Sequence, residues 1–286
     1  IHGGVSARIL SSLWPQIEAD DNPVTHVTNG VHVSTFLSSE WNELFDRFLG
    51  PGWSQRVTDR NCWEGIHTIP DHQFWSVHQS LKAQMLHLVR HRISEQHARN
   101  HGSEAHLDRL LKLANPDNPN VLTIGFARRF ATYKRAVLLF KDPERLLRIL
   151  KGPYPVQFVF AGKAHPKDEA GKAYLKELVS KIREYGLEDR MVVLEDYDMY
   201  LARVLTHGSD VWLNTPRRPM EASGTSGMKA ALNGALNLSV LDGWWAEAYN
   251  GKNGFAVGDE RVYESEEAQD VADAQALYDL LESEVI

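Results

Sequence analysis

The run Val121-Leu122-Thr123-Ile124-Gly125-Phe126, with the loop behind it, Ala127-Arg128-Arg129-Phe130-Ala131-Thr132-Tyr133-Lys134-Arg135, decides the fold class. A short apolar run of this kind belongs to a strand buried on both faces, as in a parallel sheet. A helical stretch from Lys134 to Leu150 follows it. The pair then recurs: a strand from Val156 to Ala161 and a helix across Asp168 to Tyr185, then a strand from Met191 to Leu194 and a helix from Met199 to Thr206. A strand from Asp210 to Leu213, a helix near Met228 to Asn233 and a strand from Ala235 to Val240 complete the series. This alternation implies right-handed crossovers, hence an α/β fold with a Rossmann-like, doubly wound parallel sheet and helices on both faces. Ligands of such sheets bind beyond the carboxyl ends of the strands, so the loops there carry the chemistry.

Upstream of the Pro/Asn-rich stretch 115–120 the rhythm differs. A long helical pattern runs from Trp75 to His101, with Leu81, Met85, Leu88 and Val89 at helical spacing, and His106 to Leu113 adds a short helix. The first 70 residues are dense in turns, with Pro15, Pro23, Pro51 and Pro70 around an amphipathic helix at Ser39 to Leu49. Val271 to Leu281 reads as a packed helix. The chain starts at Ile1 and stops at Glu284-Val285-Ile286 inside a helical pattern with no Gly or Pro to close it, which predicts a piece of a longer protein.

The bulk numbers exclude several classes. With 286 residues, 43% apolar and 24% charged, the composition is that of one large or two small globular domains. No apolar run approaches the roughly 20 residues of a membrane helix, and Ile1 to Leu10 lacks a signal peptide's basic flank. The single cysteine, Cys62, excludes an internal disulfide and fits a reducing, cytoplasmic setting. A net charge of −7 argues against general nucleic-acid binding.

Two loops carry chemistry. Arg128, Arg129, Lys134 and Arg135 place four cations in eight residues, directly after a buried strand and at the expected start of a helix. Helix N-termini favour anions, Arg supplies fork-shaped donors and Lys a compact charge. A solvated basic turn has the same spacing; the position at a strand's carboxyl end favours a phosphate site. The second loop is Pro219-Met220-Glu221-Ala222-Ser223-Gly224-Thr225-Ser226-Gly227-Met228-Lys229. Its small residues let backbone N–H groups approach an anion closely, although the spacing is neither that of a P-loop nor that of a dinucleotide fingerprint. Lys229 falls in the first turn of the next helix, beside Met228, Ala230, Ala231 and Leu232, where partial desolvation lowers an amine's pKa and suits imine formation. A lysine that merely snorkels reads the same way on these grounds alone. His87 with His91, and His97 with His101, have metal-clamping spacing but no third ligand, and a solvated helix face explains all four; no metal site is expected.

The run Glu221-Ala222-Ser223-Gly224-Thr225-Ser226-Gly227-Met228-Lys229 closely resembles the pyridoxal phosphate (PLP) lysine segment of the glycogen and maltodextrin phosphorylases, and the match continues through Ala230 to Ser239. Thr28-Asn29-Gly30, Arg128-Arg129 with Tyr133-Lys134-Arg135, and Gly162-Lys163-Ala164 agree in order, and Leu241-Asp242-Gly243-Trp244-Trp245-Ala246-Glu247 is similar to the shorter bacterial branch. The resemblance implies a carboxy-terminal half of a GT-B fold: residues 36–286 as an incomplete PLP-binding domain and 1–35 as a remnant of the amino-terminal domain and crossover. It implies PLP joined to Lys229 as an imine, with Thr225, Gly227, Tyr197 and Arg128 on the cofactor phosphate. Arg129 and Lys134 resemble the pair that holds the substrate phosphate, with Lys229 the catalytic set. Glu221, Ser223, Gly224 and Asn29 resemble the residues that bind sugar hydroxyls. The implied reaction is reversible phosphorolysis, in which orthophosphate and an α-1,4-glucan give glucose 1-phosphate and a shorter glucan, in a homodimeric protein. Two positions depart from the family pattern: Arg128 stands where many relatives have lysine, and Phe36 where some have Trp. A nucleotide-sugar glycosyltransferase of the same fold, or a non-catalytic piece that binds glucan or a partner, are the competing expectations.

Overall fold

The structure, a computed structural model, describes residues 7, 10–18, 21–25, 27–112 and 114–286. Most of Ile1 to Leu10, and Leu113 at the expected end of the second short helix, lie outside the described residues.

Helix α1 (Ser39–Phe48) starts where Ser38 Oγ accepts the Trp41 N–H at 3.2 Å, and it buries Trp41, Leu44 and Phe45. These pack with Trp53, Cys62, Ile69 and Leu81 in a small aromatic-rich core. Helix α2 (Asp71–Arg99) begins directly after Pro70, four residues before the sequence pattern suggests, and α3 (Glu104–Leu111) follows with Ser103 as its cap.

Six parallel strands form one sheet: β1 (Leu122–Ala127), β2 (Val156–Ala161), β3 (Met191–Leu194), β4 (Val211–Asn214), β5 (Leu236–Val240) and β6 (Gly254–Val257). Their order is β3-β2-β1-β4-β5-β6, so the winding reverses between β1 and β4. The connecting helices are α4 (Pro143–Leu150), α5 (Glu169–Glu184), α6 (Met199–Gly208) and α7 (Thr225–Leu232); α8 (Glu266–Leu280) follows β6. Successive strand residues serve opposite faces. Ile124, Phe126, Phe158, Phe160 and Leu213 pack with Leu146, Leu178 and Leu277 of α4, α5 and α8. Val159, Ala161 and Trp212 pack on the other face with Met85, Leu86, Val89, Leu201 and Leu205 of α2 and α6. Helix α2 is bolted to the sheet by half-buried Asp210, which accepts His78 Nε2 at 2.7 Å, Lys82 Nζ at 2.6 Å and the Thr123 N–H at 2.7 Å.

Three details correct the sequence reading. The sixth strand, Gly254-Phe255-Ala256-Val257, is too short and too close to Asn/Gly turns to register as a period. The expected helix from Lys134 to Leu150 is broken into single 3-10 turns at Thr132–Lys134 and Leu138–Phe140 before α4 begins. Arg135 sits at φ +50°, which no helix interior permits, and Pro143 is accommodated as the first residue of a new helix capped by Asp142. Finally, α7 starts at Thr225, so Lys229 lies in its second turn rather than its first.

Candidate active site

The loops after β1 and β4 meet where the winding reverses, the crevice in which such sheets place ligands. From the β1 side come Arg128 and Lys134, both buried. From the β4 side comes buried Glu221, whose Oε2 accepts Arg128 Nη2 at 3.0 Å and is also paired with Lys134 Nζ. Burial alone would push the Glu221 carboxyl up; the charges of Arg128 and Lys134 and the Lys134 hydrogen bond bring it below the usual range. Burial and the neighbouring Arg128 charge bring Lys134 down to about 8 against the pull of Glu221, and burial lowers Arg128 as well. Arg129 is exposed beside Tyr133, whose hydroxyl burial pushes up. Lys134 Nζ lies 4.5 Å from the Tyr133 ring centroid.

This cluster opens on a narrow cavity of about 10 Å³ lined by Arg128, Asn214, Glu221, Ser223, Gly224, Asp242 and Trp244 among others. Arg128 Nε and Nη1, Asn214 Oδ1 and Ser223 Oγ are buried there without a hydrogen-bond partner among the described residues. Leaving such groups unpaired costs about 1–3 kcal/mol each, so this concentration of them marks a polar binding site.

A second cavity, of about 40 Å³, is lined by Phe36, Ala127, Tyr197, Ala202, Thr206, Trp212, Ser226 and Lys229. Lys229 Nζ stands 4.0 Å from the Phe36 ring centroid, and burial alone lowers its pKa. Phe36 is fixed through its carbonyl, which accepts Asn233 Nδ2 at 2.8 Å and is 2.9 Å from His207 Nε2. The hollow therefore holds an amine among mostly apolar walls, the setting in which a lysine becomes nucleophilic. Arg128 bridges the two cavities electrostatically, for its charge also acts on the Tyr197 hydroxyl.

The model of the carbohydrate phosphorylase family matches residues 17–278. The chain belongs to that family. It is 47% identical to the maltodextrin phosphorylase of Thermococcus litoralis over 100% of this chain and 34% of that protein. It is 42% identical to the glycogen phosphorylase of Aquifex aeolicus, over 100% of this chain and 40% of that protein. Against the glycogen phosphorylase of Mycobacterium tuberculosis the identity is 40%, over 98% of this chain and 32% of that one. The chain thus spans about a third to two fifths of the length of these relatives.

The structure brings Arg128, Glu221, Ser223 and Gly224 to one cavity, with Lys134 paired to Glu221, and Tyr197 and Lys229 to its neighbour. Thr225 and Gly227 open α7, where Gly224, at φ +83°, is the left-handed cap; the Gly227 N–H bonds to the Gly224 carbonyl at 3.1 Å. A Cβ on Gly227 would lie 2.5 Å from Asn237 Oδ1 and 2.9 Å from Trp244 Nε1, so only glycine passes there. Asn29 is exposed in an irregular stretch and lines neither cavity. Arg135, the fourth cation of the sequence cluster, is a structural residue: it is buried and pairs with Asp270 at 2.9 Å and Asp273 at 2.6 Å. Asn214, Asp242 and Trp244 also line the first cavity, a place the sequence reading did not assign to them; their one signal is a position just inside or beyond a strand's carboxyl end. Of the four helix histidines, His91 lies 3.4 Å from Glu95, and the His97 ring lies against that of His106, tilted by 37° with centroids 5.5 Å apart. No helix among the described residues is long and apolar enough to cross a membrane.

Proposed function

We propose that this chain is the PLP-carrying wall of an α-1,4-glucan phosphorylase, in which a terminal glucosyl unit passes to orthophosphate to give glucose 1-phosphate. The observation that carries the reading is the pairing of a desolvated Lys229 with a buried, partly unpartnered Arg128–Lys134–Glu221 cluster one cavity away. The residues present fit PLP: an amine among mostly apolar walls, a hydroxyl from Tyr197, a helix start that only glycine can form, and unpartnered guanidinium N–H groups. When bound, the cofactor's own phosphate supplies the acid–base chemistry toward the substrate phosphate.

In this reading Lys229 Nζ is the attachment point, and Thr225, Gly227, Tyr197 and Arg128 orient the cofactor phosphate. Arg129 and Lys134 hold the substrate phosphate, and their charge offsets the repulsion between two neighbouring anions. Ser223 Oγ, the Gly224 backbone, Glu221 and, from the other side of the cleft, Asn29 bind the sugar hydroxyls. The cavity at Glu221 has room for about one water, so a hexose enters as the Glu221 ion pairs open. Residues 36–286 form the cofactor domain and 1–35 the approach from the amino-terminal domain, and the full-length protein is a cytoplasmic homodimer.

The test is made on the full-length protein. Expected are phosphate-dependent release of glucose 1-phosphate from maltodextrin and a PLP absorption band that borohydride fixes onto the peptide containing Lys229. A colourless protein that takes up no added PLP, or activity with a nucleotide sugar and none with orthophosphate, overturns the reading.

A further inference from the structure

Asp242 lies two residues beyond the end of β5, with 3% of its surface exposed. Its hydrogen bonds go to backbone: Oδ2 accepts the Glu221 N–H at 2.8 Å and Oδ1 accepts the Gly243 N–H at 2.9 Å. One residue on, the Trp244 N–H donates to the Ser223 carbonyl at 2.8 Å. The segment 242–244 is thereby laced to 221–223. Gly243, at φ +56°, passes so close that a Cβ would lie 3.0 Å from Glu221 Cγ. The Glu221 side chain continues from this fixed backbone to Arg128 and Lys134.

A carboxylate is a costly choice for this post. It is buried, and it sits beside a second carboxylate whose charge opposes its own; both effects raise its pKa. What it offers in return is two acceptor oxygens for two N–H groups, with the geometry of the 221 backbone set by one of them. We propose that Asp242 is a positioning residue of the phosphate subsite: by holding the Glu221 backbone it sets where the Glu221 carboxylate lies, and so where its partner Lys134 is presented to orthophosphate and its partner Arg128 to the cofactor phosphate. The proposal rests on the phosphorylase reading above and adds to it a residue that touches neither phosphate.

The experiment is a double-mutant cycle in the full-length protein, with Asp242→Asn, Glu221→Gln and the pair. Inorganic phosphate binding is measured by calorimetry, alongside kcat, the KM values for phosphate and glucan, and the melting temperature. Asp242→Asn is expected to weaken orthophosphate binding roughly 10- to 100-fold, the scale of a misplaced binding group, with a smaller effect on the glucan KM. In the Glu221→Gln background the same change is expected to matter less than about twofold, since the carboxylate it positions is gone. Equal losses in both backgrounds, or a lower melting temperature with unchanged phosphate binding, overturn the proposal. If Asp242→Asn fails to fold, Asp242→Glu keeps the charge and both acceptors but reaches one methylene further. It must then show the same phosphate-selective loss, and normal phosphate binding by it overturns the proposal. The two readings separate on the wild-type protein: phosphate binding without glucose 1-phosphate release refutes the phosphorylase reading and leaves Asp242 to be judged by the cycle. A wild-type protein that binds no orthophosphate refutes both.

Discussion

Raising the pH through the Lys134 titration should switch off phosphate binding. An ordinary lysine holds its proton to about 10.5; burial and the Arg128 charge bring Lys134 to about 8. That difference corresponds to roughly 3 kcal/mol of preference for the neutral amine in the folded protein. At about pH 8 half the molecules keep the charge and at about pH 9 roughly one in ten, so orthophosphate affinity should fall about fivefold between pH 8 and 9 and about tenfold more by pH 10. Phosphate is already a dianion throughout this range, so the break belongs to the protein. Calorimetric titration of inorganic phosphate across pH 7 to 10 reads it directly. Lys134→Arg, whose guanidinium stays charged, should flatten the profile, and Glu221→Gln, which removes the carboxylate that props the Lys134 value up, should move the break to lower pH. Stability responds with the opposite sign. Between about 8 and 10.5 the unfolded chain holds a proton that the folded chain has released, so unfolding free energy rises with pH across that window. A flat binding profile in the wild type, or an unchanged break in Lys134→Arg, refutes the assignment of Lys134 to the phosphate.

Three substitutions test the frame around the site. Gly227→Ala drives a methyl into Asn237 Oδ1 and the Trp244 indole, and thermal unfolding should show a loss of about 1–3 kcal/mol together with weaker PLP retention. Arg135→Ala leaves Asp273 buried without its partner and should cost about 3–5 kcal/mol in denaturant melts, part of which Asp273→Asn restores; a loss under about 1 kcal/mol would contradict the structural role given to Arg135. Asp210→Asn strips Lys82 of its counter-ion beneath α2 and should cost about 3 kcal/mol, with hydrogen exchange rising first in α2 and β1.

The alternation of strand and helix was legible because β1 and β2 are apolar on both faces, a pattern that only a parallel sheet with two covered faces produces. The strand order was not. Nothing local tells β4 to pair with β1 rather than with β3, and that non-local choice brings the Arg128 and Glu221 loops together. Glu221 and Lys229 could be read from their segment, whereas the partner of each cation could not. Arg135 and Lys134 are adjacent in the same basic run, yet one faces Asp270 and Asp273 from α8 and the other faces Glu221. Asp242 escaped notice because its role is carried by a backbone N–H, which has no sequence signal. The break at Arg135 escaped notice because a positive φ at a non-glycine residue is imposed by tertiary contacts.

The sorting of the cations has a charge logic. Of the four, Arg135 is neutralised by two carboxylates and takes no part in the cleft. Arg128, Arg129 and Lys134 remain, set against the carboxylates of Glu221 and Asp242, which leaves a net charge of about +1 when all five are ionised, with Arg129 exposed. Burying these cations is unfavourable by itself: burial lowers Arg128, and burial together with the Arg128 charge lowers Lys134. Two buried cations that share one carboxylate favour an incoming anion twice over: by direct attraction, and by relieving the Arg128–Lys134 repulsion. Glu221 fits this arrangement as an exchangeable counter-ion. It pairs with both Arg128 and Lys134, and in the proposed reading its release turns Lys134 Nζ to the substrate phosphate and the unpartnered Arg128 N–H groups to the cofactor phosphate. A carboxylate at this position that is fixed from behind by Asp242, and free to let go in front, meets both demands.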